Sequence, residues 1–141
     1  MRKMECKMVE IDDSLIRYGD KAGIKRLLDE MFGGEVYEMF YLIYVNGAGL
    51  IYGYDKISEG SRMMVDVRLT DVLRSVSIGD AKGVILAHNH VYGDMEVSKE
   101  DIKMTKEIRE FLSMYGIKVY NHVIYGGKKI KFMNKYKRNS V

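Results

Sequence analysis

The sequence predicts an α/β protein, a central mixed β-sheet flanked by helices, and three observations predict it. Stretches with apolar residues at helical spacing alternate with runs rich in β-branched and aromatic residues. Asn46-Gly47 and Gly126-Gly127 each separate two such runs, which marks hairpins. The apolar run Val84-Ile-Leu-Ala87 stands alone between two helical stretches, as a buried strand does.

Taken in order, Ile24, Leu27, Leu28 and Met31 share one face of a helix over 20–32, and Gly33-Gly34 stops it. A strand follows over Val36–Val45, then the turn Asn46-Gly47-Ala48-Gly49, then a second strand over Leu50–Tyr54. Val72, Leu73 and Val76 set a helix over Thr70–Gly79 that crosses over the sheet to the strand Val84–Ala87. From Ser98, a stripe of Ile102, Thr105, Ile108, Phe111, Leu112 and Tyr115 predicts a helix closed by Gly116. Ile117–Tyr125 and Lys129–Met133 form the last hairpin.

A chain of 141 residues is about one domain and can bury roughly two-thirds of its unfolded surface. It shows no repeat, low-complexity tract or linker, so the expected division is a helical extension over 1–34, one domain over 35–134 and a basic tail over 135–141. No apolar run approaches the roughly 20 residues that span a bilayer, and the basic N-terminus lacks the apolar stretch of a secretory signal. A cytoplasmic protein without membrane contact is expected. Cys6 is a lone thiol with no His nearby to activate it, so it is read as incidental.

Net charge is only +3, but Lys128, Lys129, Lys131, Lys135, Lys137 and Arg138 crowd the last fourteen residues. Such a tail could give a weak DNA contact; the plainer reading is a solvated terminus that keeps a strand edge soluble. Nothing in the sequence fixes the oligomeric state.

The chemistry concentrates in Ala87-His-Asn-His-Val-Tyr-Gly-Asp-Met-Glu-Val-Ser-Lys-Glu-Asp101. His88 and His90 project to one side of the sheet because strand side chains alternate, and Asp101 sits in the first turn of the next helix, able to fold back toward them. Two nitrogens and one carboxylate oxygen hold a Zn²⁺ ion with a fourth position left for water, the pattern of a catalytic rather than a structural site. Bound there, water ionises near pH 7. A hydrolase also needs a base, for which Glu35, Glu38, Glu96 and Glu100 are candidates. Ser98 can donate its hydroxyl to a developing oxyanion. Ser98-x-x-Asp101 also reads as a helix cap worth about 1 kcal/mol, and a residue at a helix start can both cap and catalyse.

His88-x-His90, Ser98 and Asp101 at this spacing resemble the signature of the JAMM (MPN, or JAB) metalloproteases, and Asn89 with Gly93-Asp94 is similar to the RadC branch. The likeness runs from about Glu38 to Met133: Glu38-Met-Phe-Tyr-Leu-Ile-Tyr-Val-Asn46 resembles the first RadC strand, Glu59-Gly60-Ser61 its Ser-Gly-Thr element, Val84 to His90 its core strand, and Tyr120-Asn-His-Val-Ile-Tyr-Gly126 its Asp-His-x-Ile-x-Gly segment. The resemblance implies the JAMM/MPN, cytidine-deaminase-like fold. It also implies that His88, His90 and Asp101 bind zinc, that Glu38 is the general base, with Glu35 as fallback, and that Ser98 supports the tetrahedral intermediate. The implied reaction is hydrolysis of a peptide or isopeptide bond in a protein or peptide substrate. The RadC branch, linked to DNA repair by name, also allows a DNA-repair or phage accessory protein that keeps its zinc site as a binding module. His122 is assigned to structure, since three protein ligands suffice for an open site.

Two departures stand out. Val91-Tyr92 replaces the Pro usual after the second His, and the roughly 35 residues ahead of the domain are too few for the helix-hairpin-helix region of full-length RadC proteins. A short, stand-alone form is expected.

Overall fold

Asp20 accepts a hydrogen bond from the backbone N–H of Gly23 and so starts helix α1 (Lys21–Phe32). Ile24, Leu27, Leu28 and Met31 are all buried on its inner face, and Gly34, at φ +80°, turns the chain out of the helix. Strand β2 (Met39–Val45) then runs to Asn46, whose side-chain oxygen accepts from the N–H groups of Ala48 and Leu50 while Gly49 takes φ +83°. That turn delivers strand β3 (Ile51–Glu59). Helix α2 (Leu69–Gly79) ends with Asp80 in the left-handed region and leads into β4 (Gly83–Asn89), buried at every position. Helix α3 (Lys99–Ser113) is followed by β5 (Lys118–Gly126) and β6 (Lys129–Phe132).

The computed structural model describes residues 5–8, 15–60, 67–91 and 96–133. Residues 5–8 add a further strand, β1 (Glu5–Met8), which pairs antiparallel with β3. The sheet order is β1-β3-β2-β4-β5-β6. Every neighbouring pair is antiparallel except β4 and β5, which run parallel with α3 as their crossover, so the sheet is mixed as expected.

The helices cover both faces. On one, α1 packs Leu27, Leu28 and Phe32 against Ile43, Val45, Ile85, Ala87 and Val123. On the other, α2 and α3 bring Val72, Val76, Ile108 and Leu112 against Phe40, Leu42, Val84 and Leu86. Even-numbered residues of β2 and β4 therefore face α2 and α3, and odd-numbered ones face α1. Tyr44 reaches the Ser75 hydroxyl at 2.8 Å and Tyr52 donates to the Gly79 carbonyl at 2.6 Å, which ties α2 down. Arg109 donates to the Val119 carbonyl and ties α3 to β5.

Several boundaries differ from expectation. The first predicted strand begins at Met39 rather than Val36, because Val36 and Tyr37 are exposed; the second runs on to Glu59. The 1–34 stretch, expected as helical, also contributes β1, whose four residues are too few to show a period. On α3 the buried stripe is Asp101, Thr105, Ile108 and Leu112, whereas Ile102 and Tyr115 are exposed. Turning Asp101 inward rotates Ile102 off the sheet. Ser61, Gly93, Asp94 and the tail residues Lys135, Lys137 and Arg138 lie outside the described residues. Among those described, no helix is long and apolar enough to cross a membrane.

Candidate metal centre

The end of β4 carries His88 on the α2/α3 face, and the backbone N–H of His90 donates to the Tyr125 carbonyl at 2.8 Å, extending the parallel ladder so that His90 keeps the same side. Across from them, Ser98 caps α3: its hydroxyl accepts from the N–H of Asp101 at 3.0 Å, and its own N–H donates to Asp101 Oδ2 at 3.1 Å. The reciprocal bonds hold the Asp101 carboxylate toward the strand. His88 Nε2 lies 3.2 Å from Asp101 Oδ1, His90 Nε2 lies 3.3 Å from Asp101 Oδ2, and the two Nε2 atoms are 2.9 Å apart.

These three residues are the group of donors able to hold one metal ion among the described residues. Tetrahedral bonds of about 2.0–2.1 Å place ligand atoms roughly 3.3 Å apart. The spacings just given are close to that, and a His₂–carboxylate set suits a borderline cation, so the residues fit such an ion. Burial alone would push the Asp101 carboxyl up, but hydrogen bonds from His88 and His90, the charge of His88 and the Ser98 N–H outweigh it and hold it well below the usual carboxylate range. A carboxylate kept ionised is what a cation needs.

Of the four candidate bases, Glu38 is buried and Glu35, Glu96 and Glu100 are exposed. Glu38 sits just before β2, and Glu35 lies further upstream. The Glu38 carboxylate accepts from the N–H of Val91 and feels the charges of His88, His90 and Asp101. Burial raises its pKa, and the two imidazoles and Val91 pull it only partly back.

Two further residues frame the site. Asn89, between the two His, turns to the opposite side; its Oδ1 accepts from the N–H of Met39 at 2.7 Å and its Nδ2 donates to the Tyr37 carbonyl at 3.0 Å. It thus grips the backbone on both sides of Glu38, continuing the β2–β4 ladder beyond its last pair, Phe40 with His88. The second is His122, expected to be structural and found fully buried against the ligand set: its Nε2 lies 2.7 Å from His88 Nδ1, and its Nδ1 meets the Thr105 hydroxyl. Burial first, and the neighbouring imidazole charges after it, push His122 well below the usual histidine range, so it is neutral.

The local backbone explains how His122 comes to lie beside His88. Val119 faces α2 and α3, so strict alternation would turn His122 toward α1. The pairing of β4 with β5 slips between Val84–Val119 and Ile85–Asn121, leaving Tyr120 as an extra residue. That bulge puts His122 beside Leu86, on the face of His88. Gly83 makes room for it: a Cβ there would lie 2.5 Å from the Tyr120 ring.

Residues 19–137 match the family model described as a RadC-like JAB domain. Among curated proteins, the chain is similar to a UPF0758 protein of Geotalea uraniireducens (32% identical over 87% of this chain and 54% of that one). It is also similar to UPF0758 proteins of Fusobacterium nucleatum (30% identical, 81% and 49%) and Salinibacter ruber (36% identical, 65% and 40%). The chain spans about half the length of these relatives.

Proposed function

Because this chain belongs to the RadC-like JAB domain family, we propose that it is a zinc-dependent hydrolase of the JAMM type that cleaves peptide or isopeptide bonds in a protein or peptide substrate, acting in the cytoplasm. The observation that carries the reading is the convergence of His88 Nε2, His90 Nε2 and an Asp101 oxygen beside a buried carboxylate, Glu38. Zinc held there would supply a Lewis acid that polarises the scissile carbonyl and lowers the pKa of water.

The remaining chemistry falls to the chain's own groups. Glu38, with its pKa raised by burial, takes the proton of the attacking water and passes it to the leaving amine, a transfer favoured when the base titrates nearer to working pH. Ser98 Oγ accepts from Asp101 N–H, which leaves its own hydrogen to donate to the oxygen that becomes negative as the carbonyl turns tetrahedral. Asn89 fixes the backbone that carries Glu38.

The test is metal content of the purified chain beside His88→Ala, followed by Glu38→Gln against a peptide library. One zinc per wild-type chain, none in His88→Ala, and a Glu38→Gln variant that keeps zinc but loses at least about a hundredfold in rate are expected. A metal-free wild type, or a Gln variant as fast as wild type, would overturn the assignment.

A second reading, a binding module for DNA, draws on exposed Lys128 and Lys129 at the β5–β6 turn. It requires DNA affinity that falls steeply with salt and with removal of these lysines.

A further inference from the structure

We infer that Thr105 and His122 are positioning residues that fix the tautomer of His88, so that its Nε2 lone pair is presented to the metal; this rests on the metal reading above. The inference follows from counting hydrogens along one buried chain of contacts. Asp101 has a backbone carbonyl that can only accept, and the Thr105 hydroxyl donates to it at 2.7 Å. Thr105 has one hydroxyl hydrogen, so toward His122 Nδ1 it can only accept. His122 must then carry its hydrogen on Nδ1, which leaves its Nε2 bare. At 2.7 Å from that bare nitrogen, His88 Nδ1 must be the donor. An imidazole that binds an ion through Nε2 keeps one N–H, and with that hydrogen on Nδ1 the His88 Nε2 lone pair is free for the zinc placed between it, Asp101 and His90.

The chain closes on itself. Asp101 sends its carboxylate to the metal position and its main-chain oxygen to the far end of the relay, so one residue at the start of α3 sets both a ligand and the tautomer of another ligand. Phe40, whose ring lies edge-on to His122 at 5.8 Å and parallel to His88 at 6.4 Å, walls off the imidazoles, and Met133 sulfur packs 3.9 Å from the Thr105 hydroxyl. No exposed group interrupts the sequence, since His88, Thr105 and His122 are all buried.

The experiment compares zinc affinity of the full chain, by competition with a chromophoric chelator, for wild type, Thr105→Val, Thr105→Ser and His122→Phe. Outer partners of a ligating imidazole typically contribute about ten- to a hundredfold in metal affinity, so Thr105→Val and His122→Phe should weaken zinc by that factor, and Thr105→Ser, which keeps the hydroxyl, should bind as wild type does. Nitrogen-15 NMR of zinc-loaded wild type gives a reading that needs no variant: His122 should carry its proton on Nδ1. Equal zinc affinity in folded Thr105→Val and wild type, or a His122 proton on Nε2, overturns the relay while leaving the metal site standing. A wild type that takes up no zinc removes both.

Discussion

Asn89 stands between His88 and His90 but turns to the opposite side of the sheet. Its amide reads as main chain to its neighbours, offering an oxygen to Met39 and an N–H to Tyr37. Asn89→Ala removes both buried bonds and should cost about 1–3 kcal/mol in a denaturant titration, lower turnover by loosening Glu38, and leave metal content unchanged. A bond between positions 50 apart leaves no periodic trace, so its role could not be read from spacing. His88, His90 and Asp101 were legible for the opposite reason: strand alternation and a helix start bring near neighbours together. Tyr125 offers a separate test at this scale. Burial, then its hydrogen bond to Asp29, pushes its pKa up from 10.0 to about 12. Below pH 10 both folded and unfolded chains keep the proton; between the two values only the unfolded chain gives it up, so stability is lost as pH rises through that window. Tyr125→Phe should therefore be less stable than wild type near neutrality, and the gap should close between pH 10 and about 12 when both are unfolded in denaturant.

Among the elements, the start of α3 carries the most. Its capping box makes Ser98→Ala a loss of about 1 kcal/mol in thermal or chemical unfolding, with weaker metal retention because Asp101 is freed from one of its two restraints. The β5 bulge is the other decisive element. Tyr120 is confined by Gly83 below and stacks on Tyr18 at a 4.2 Å centroid distance, so Gly83→Ala has no slack to use and should cost about 1–3 kcal/mol, measured by chemical denaturation. Helices α1 and α2 and both hairpins were readable because their apolar period and their Asn-Gly or Gly-Gly turns act locally. The bulge was not, since one extra residue in a strand leaves the composition of that strand unchanged.

For the whole molecule, the site draws on the segment before β2, the end of β4, the first turn of α3 and the middle of β5. An ion bound to that assembly and not to the unfolded chain must stabilise the fold as a whole. At a zinc concentration about a hundredfold above Kd the gain is about 2.7 kcal/mol, which for a chain of this size raises Tm by roughly 10 °C. Differential scanning calorimetry should record that rise in wild type, its reversal by a chelator, and none in His88→Ala. Tyr125 adds a tie of its own kind, joining β5 to Asp29 on α1 across 96 positions of sequence.

Strand β4 settles its own alignment. Its final residues send His88 to one face and Asn89 to the other, while its two flanks bond to β2 and β5. A slip of a single position would exchange the faces, burying an amide among the imidazole partners and stranding a histidine under α1. No misaligned intermediate could then keep half of its chemistry, so ion uptake during refolding would report only chains whose central strand had threaded correctly.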